Sequence, residues 1–428
     1  MAHTTISEIH AWEALDSRGK PTVACRVTLS GGGTGRAIVP SGASTGGHEA
    51  RERRDGGTRY AGFGVQHAVM AVRTLVAPLV LGMDAADQAA VDLAMESADP
   101  DPDLGTVGAN AILAVSLATT LACADEQRMP LWRMLSGSDS PLIPMPMINV
   151  ISGGAHAAHA LDIQDVLAVP LGASSFAESI EWVSRVRAAT ARLMEEQGIA
   201  TALVADEGGL AGALRDNEHA LSLVTAGISA AGLSPGEDVS LAVDFASNQL
   251  WDGTQYRLAV ENTSLSGQDW IRRIISWCEK YPIVSLEDVL QEDDWSGWRA
   301  AQQALGATHQ VLGDDHFATN LDRLTRGVAT DSANAILVKP NQAGTVTRAA
   351  TATTFAQSAR FATVVSARSG DTEDYWLADI AIGWNAGQIK VGSTMRSERT
   401  AKWNRILEIE SEAGGQARFA GRGAVANA

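Results

Sequence analysis

VSLAVDF (239–245), YPIVSLEDV (281–289), HQVLGDD (309–315), ANAILVKP (333–340), FATVVSARS (361–369) and GQIKVGS (387–393) are short β-rich runs separated by stretches of helical composition. That alternation is the grammar of a (β/α) barrel. Each run closes on a charged residue: Asp244, Glu287, Asp314, Lys339, Arg368 and Lys390, at intervals of 43, 27, 25, 29 and 22 residues. One βα unit takes roughly 30 residues. Barrel enzymes carry their sites at the C-terminal ends of the strands, so the spacing predicts six charged side chains on one rim.

Asp244, Glu287 and Asp314, on neighbouring strands, repel one another unless a divalent cation neutralises them, and an all-oxygen ligand set selects a hard ion such as Mg²⁺. Helix capping or ordinary ion pairs explain any one of them alone; they do not explain the periodic set. Lys339 and Lys390 face the metal across the same rim, where a cationic neighbourhood is expected to depress a lysine pKa. One then serves as a base and the other as an electrostatic clamp. Abstraction of a proton next to a carboxylate through a metal-stabilised enediolate is the reaction such a set suits.

Toward the N-terminus the pattern changes. TTISEIHAWEAL (4–15), TVACRVTLS (22–30) and RAIVP (36–40), with Gly31, Gly32 and Gly33 between the last two, read as an antiparallel meander. No Lys-Ser or Lys-Thr follows the glycines, so they form a hairpin turn and no phosphate loop. From Tyr60 to about Met134 the pattern is helical, and GANAILAVSLATTLACADEQ (108–127) reads as a buried helix. SGSDSPLIPMPM (136–147) has the composition of an interdomain linker. The expected domains are an α+β cap over 1–135 and a modified (β/α)8 barrel over 143–428, an α/β fold overall.

The chain has 428 residues, 45% hydrophobic and 19% charged, which excludes general disorder. Its 33 basic and 50 acidic residues give a net charge of -17, which repels a phosphate backbone, so no nucleic-acid partner is expected. Cys25, Cys123 and Cys278 are too few and too scattered for a disulfide framework or a metal knuckle and fit a reducing cytoplasm. With neither a leader pattern nor 18 consecutive apolar residues, the chain is expected to be cytoplasmic and to have no membrane partner.

SGASTG (41–46), NAILAVSLA from Asn110, ADEGG (205–209), SLEDV (285–289), LGDD (312–315), LVKPNQ (337–342) and SARSGDTED (366–374) together resemble the enolase family. The likeness runs in order from ALDSRG near Ala14 to RSERTAKWN near Arg396. It implies a homodimeric or larger enzyme that dehydrates 2-phosphoglycerate, a phosphorylated three-carbon carboxylate, to phosphoenolpyruvate. Two Mg²⁺ ions are implied, the second arriving with substrate. By that resemblance Asp244, Glu287 and Asp314 hold the first metal and Ser44 the second. Lys339 is the base at C2, Lys390 contacts the substrate carboxylate, and Glu207 helps expel the C3 hydroxyl. Arg368 and Ser369 hold the phosphate, and His156 closes over the substrate on a loop.

The sequence also departs from the family. Ala367 stands at a histidine position, Asp371 and Asp165 at glutamate positions, and Ser152 at an asparagine; His159 is additional. Asp165 retracts a carboxylate by one methylene beside Glu207, and catalysis tolerates little misplacement. The changes cluster at the phosphate and leaving-group side. They suggest retained enolisation with a modified substrate, the loss of an imidazole at Ala367 opening room beside phosphorus. On this reading the chain resembles carboxyphosphonoenolpyruvate synthase-type enolase relatives of phosphonate natural-product and antibiotic biosynthesis, with a cytidylyl phosphonoformate co-substrate. Ordinary enolase and an inactive enolase-fold binding protein are the alternatives.

Overall fold

The computed structural model describes residues 3–428; residues 1 and 2, where the expected cap domain begins, lie outside the described residues. β1 (Ile6–Leu15), β2 (Pro21–Leu29) and β3 (Thr34–Ile38) form the expected antiparallel meander, turning through Gly31, Gly32 and Gly33. The Ala109–Glu126 helix packs across β2 and β3 and is buried along almost its entire length. It can do so because its residues are small. At Gly35 a Cβ atom would lie 2.0 Å from the Ala118 carbonyl oxygen and 2.3 Å from the Ala122 nitrogen, both fixed helix backbone. Gly35→Ala is therefore expected to destabilise the fold by about 3 kcal/mol, the upper end of ordinary overpacking. Gly415→Ala, with open space around it, is the neutral control. Urea unfolding followed by tryptophan fluorescence measures both, and equal midpoints would refute the close approach.

After the cap, β4 (Leu142–Ile143) pairs with β15 (Arg418–Phe419) near the C-terminus. The barrel strands are β5 (Met145–Ser152), β6 (Asp165–Val169), β7 (Ser240–Asp244), β10 (Ile283–Glu287), β11 (Gln310–Gly313), β12 (Ala335–Val338), β13 (Ala362–Ser366) and β14 (Gln388–Gly392). Between the second and third of the six runs quoted at the outset comes only helix; the hairpin of β8 (Tyr256–Leu258) and β9 (Thr263–Leu265) lies outside the barrel. Among the described residues the barrel closes in the order β10-β11-β12-β13-β14-β5-β6-β7. It is an α/β fold of a modified kind, since β6 runs antiparallel to both of its neighbours. The six quoted runs are six of its strands. The linker reading of 136–147 is corrected at its end: Met145, Pro146 and Met147 belong to β5, whose methionines face the barrel interior.

Strand periodicity explains how the rim is built. Alternate side chains face one side of a strand, and the lumen is filled by Leu167, Ala242, Leu312, Leu337 and Val364 together with the polar trio Ser285, Gln310 and Gln388. Two residues beyond these inner positions, toward the mouth, stand Asp165, Asp244, Glu287, Asp314, Lys339 and Lys390. Strand register sets Asp165 opposite Asp244 and Asp244 opposite Glu287. The charged rim therefore continues the barrel's inner column into the open end.

Candidate active site

The mouth of the barrel brings together Asp244, Glu287, Asp314, Lys339, Lys390, Glu207, His156, Arg368, Ser369 and Ser44, with the lysines and carboxylates in two ion-paired halves. On one side Lys390 Nζ donates to Asp244 at 2.8 Å and to both oxygens of Glu287 at 2.7 Å. On the other Lys339 donates to Asp314, whose second oxygen accepts from Gln342 Nε2 at 2.9 Å. The expectation of depressed lysine pKa values is corrected. Burial does push both lysines toward the neutral form, but Asp314 overrides it at Lys339, and Asp244 and Glu287 override it at Lys390, so both protons are held more firmly than usual.

The carboxylates carry the complementary signal. Burial works against the charge of Asp244, but Lys390 holds it down at about 2. Glu287 is pushed well above its ordinary value by burial and by the neighbouring Asp244 charge. Two carboxylates thus converge on one ammonium, which cannot neutralise both. An anionic, all-oxygen donor set focused on a point already taken by a cation fits a hard divalent ion. Behind it, one carboxylate oxygen from each of Asp288, Asp314 and Asp315 lies within 4.8 Å of the others. Asp288 reaches that position through a left-handed backbone, φ 46°, which folds its carboxylate back to accept from the Asp314 and Asp315 N–H groups at 2.9 and 3.0 Å.

Across the barrel from Lys339 is a buried acid–imidazole chain. The Ser152 hydroxyl donates to Asp165, Asp165 Oδ2 pairs with His156 Nδ1 at 2.9 Å, and His156 Nε2 lies 3.8 Å from Glu207 Oε1. Asn149 Nδ2 donates to the other Glu207 oxygen at 3.1 Å. Burial opposes an imidazolium at His156, but Glu207 and Asp165 outweigh it and raise its pKa. Burial likewise opposes the Glu207 charge, and His156 outweighs it and lowers its pKa. The proton of this pair therefore rests on His156. The shortened carboxylate of Asp165 is compensated locally, since it grips both Ser152 and His156. The additional His159 is exposed, in a left-handed conformation at φ 60°, and does not replace the missing imidazole.

Next to Ala367, Arg368 is buried and doubly paired with Glu49 at 2.8 and 3.2 Å, and donates to the Ser44 carbonyl at 2.8 Å. Ser369 Oγ accepts from the Ala43 N–H at 2.6 Å. Loop 41–50 is thus laid over the mouth, bridged to the barrel by the Ser41 and Gly370 backbones at 2.8 and 2.9 Å. The ion pairs across the mouth leave little room beside Ala367. Ala367, Ser44, His156, Glu207, Lys339 and Lys390 line a space of about 20 Å³, because the ion pairs close across it. That holds about one water. Asp371 does not line this space; it pairs with buried Lys402 at 2.6 Å and accepts from the Arg368 N–H at 3.4 Å.

Several partners escape sequence reasoning. Gln164 Nε2 donates to Asp244 at 3.0 Å, and Glu49, Gln342 and Asn149 hold Arg368, Asp314 and Glu207. Gln342, Asp288 and Asp315 sit inside the quoted motifs, and Gln164 directly precedes Asp165. Asn149 and Glu49 carried no signal beyond proximity.

Two family models match the chain: "Enolase, N-terminal domain" over residues 6–135 and "Enolase, C-terminal TIM barrel domain" over residues 140–428. An enolase of Acidothermus cellulolyticus is 46% identical over 416 residues, covering 97% of this chain and 96% of that protein.

Proposed function

The chain belongs to the enolase family, and from that premise we propose that it dehydrates 2-phosphoglycerate to phosphoenolpyruvate and water. The family's cofactor is Mg²⁺, and the reading assigns Asp244, Glu287 and Asp314 to one ion and Ser44 to a second that arrives with substrate. Held there, Mg²⁺ would supply the positive charge that these carboxylates otherwise take from the lysines and would stabilise negative charge developing on the substrate carboxylate. Lys339, once Asp314 no longer serves as its counterion, gives its ammonium proton to solvent and in the neutral form takes the proton from C2. Lys390 holds the substrate carboxylate. Across the cavity the C3 hydroxyl leaves as water, its proton delivered through Glu207 from the His156 reservoir. Arg368, exchanging Glu49 for phosphate, and Ser369 fix the other end of the substrate.

The observation that carries this reading is the opposition of Lys339, at the end of β12, to the imidazole–carboxylate pair anchored on Asp165 of β6, four strands away around the barrel, with both lining one small cavity: a base on one face, an acid on the other. A second reading, carboxyphosphonoenolpyruvate formation with a cytidylyl phosphonoformate co-substrate, rests on Ala367; the 46% identity to an enolase over 97% of the chain favours the ordinary reaction. The wild-type chain with Mg²⁺ and 2-phosphoglycerate alone is expected to form phosphoenolpyruvate at about 10 s⁻¹ or faster, an ordinary enzymatic rate. Ala367→His is expected to change that by less than about tenfold, because the imidazole must be fitted into a filled site. Absent wild-type turnover that Ala367→His restores would overturn the proposal and favour the phosphonate reading. Absent turnover in both, with or without the nucleotide, would point to a binding protein.

A further inference from the structure

A large cavity lies outside the candidate active site, in the seam between cap and barrel. It measures about 730 Å³, inside the range of roughly 300–1,000 Å³ typical of small-molecule sites. One wall is the Gln88–Glu96 helix of the cap, and the other is formed by residues 319–322 and the start of the Val346–Ser358 helix.

Its floor is shared with the rim. The Thr319 hydroxyl accepts from the Lys339 N–H at 2.9 Å and donates to Gln342 Oε1 at 2.7 Å. Gln342 Nε2 in turn donates to Asp314 at 2.9 Å, and the Gln342 carbonyl accepts from the Ala50 N–H of the loop at 2.8 Å. Thr319 and Gln342 both line the cavity, so an occupant pressing on them bears directly on the positions of Lys339 and Asp314.

The lining also selects an occupant. Of its charged groups, Arg348 is spent on Glu96 at 3.1 Å and on the Pro102 carbonyl at 3.2 Å, and His48 on Asp293 at 3.0 Å. The Asp92 oxygens accept from Thr347 and Gln88, and Asp103 pairs with Arg51 at 3.0 Å. The Asp322 carboxylate has no hydrogen-bond or ion-pair partner among the described residues. The unspent charge facing the cavity is negative, which repels phosphates and nucleotides. Leu93 and Leu321, 63% and 38% exposed, add apolar surface beside it. We propose that this cavity binds a small amphipathic ammonium compound, its charge on Asp322 and its apolar body between Leu93 and Leu321, and that occupancy alters the Lys339 side of the active site.

The probe is phenethylammonium chloride, titrated into the full chain by calorimetry and by ligand-observed NMR. A nine-heavy-atom ligand is expected to bind with a Kd of about 1 mM. Ala89→Trp, on the exposed wall of the cap helix, fills the cavity and is expected to weaken binding more than about tenfold; Asp322→Asn removes the counter-charge and is expected to weaken it about fivefold. Phosphoenolpyruvate formation, which rests on the function proposed above, is expected to change at least about fivefold at saturation, the lower end of ordinary allosteric coupling. No saturable binding up to about 20 mM, or binding untouched by Ala89→Trp, overturns the site. Binding with unchanged turnover overturns the coupling. The binding arm needs no activity, so failure of the dehydration reading is told apart from failure of this one.

Discussion

Lys339→Ala is expected to lower phosphoenolpyruvate formation by about 10⁴-fold, the upper end of what a positioned general base contributes. No neighbour can take over. Lys390 is tied to two carboxylates, Arg368 does not deprotonate in this setting, and His156 belongs to the opposite face of the cavity. The rate alone does not separate a lost base from a disturbed Asp314, which loses its ammonium partner in the same variant. The partial reaction does. In deuterium oxide the wild type is expected to exchange the C2 proton of 2-phosphoglycerate. Lys339→Ala is expected to lose that exchange, and Glu207→Gln to keep it while losing dehydration, because proton removal and hydroxyl departure sit on opposite walls. Exchange surviving in Lys339→Ala would remove Lys339 from the base role whatever the overall rate.

The same opposition marks what a reading of the residues reaches. Asp244, Glu287, Asp314, Lys339 and Lys390 were legible because each lies two residues past an inward-facing barrel position, so period-two geometry and the βα spacing point to one rim. β5 was hidden, since MPM at its start carries the proline expected of a linker while its methionines pack the lumen. β6, five residues long and antiparallel to its neighbours, breaks the alternation that revealed the others. The lysine pKa values were misjudged for a different reason. Sequence places charges on a rim without saying which touch, and direct contact with three carboxylates outweighs both burial and the neighbouring cations. Likewise the deletion of an imidazole at Ala367 says nothing of how neighbours close over the gap; here the ion pairs leave about 20 Å³.

Arg368→Met is expected to cost about 3–5 kcal/mol of stability, the usual consequence of stranding one member of a buried ion pair. Arg368 and Glu49 are 3% and 7% exposed. Without the guanidinium, Glu49 keeps the Gly46 N–H at 3.0 Å and a long contact to Gln342 at 3.3 Å, and its charge has no buried counterion. The loss also releases the Ser44 carbonyl, so the loop that covers the mouth is loosened. Activity is expected to fall by about 10³-fold in kcat/KM, equivalent to two charge-assisted hydrogen bonds to phosphate of about 2 kcal/mol each. Fold and function separate in the double variant. Arg368→Met combined with Glu49→Gln removes both charges and is expected to regain about 2 kcal/mol or more of the stability by urea unfolding, since the stranded anion is gone. Its kcat/KM is expected to stay as low as that of Arg368→Met, because no group replaces the guanidinium at the phosphate. Recovery of activity along with stability would mean that Arg368 serves the loop alone and that the phosphate is held elsewhere.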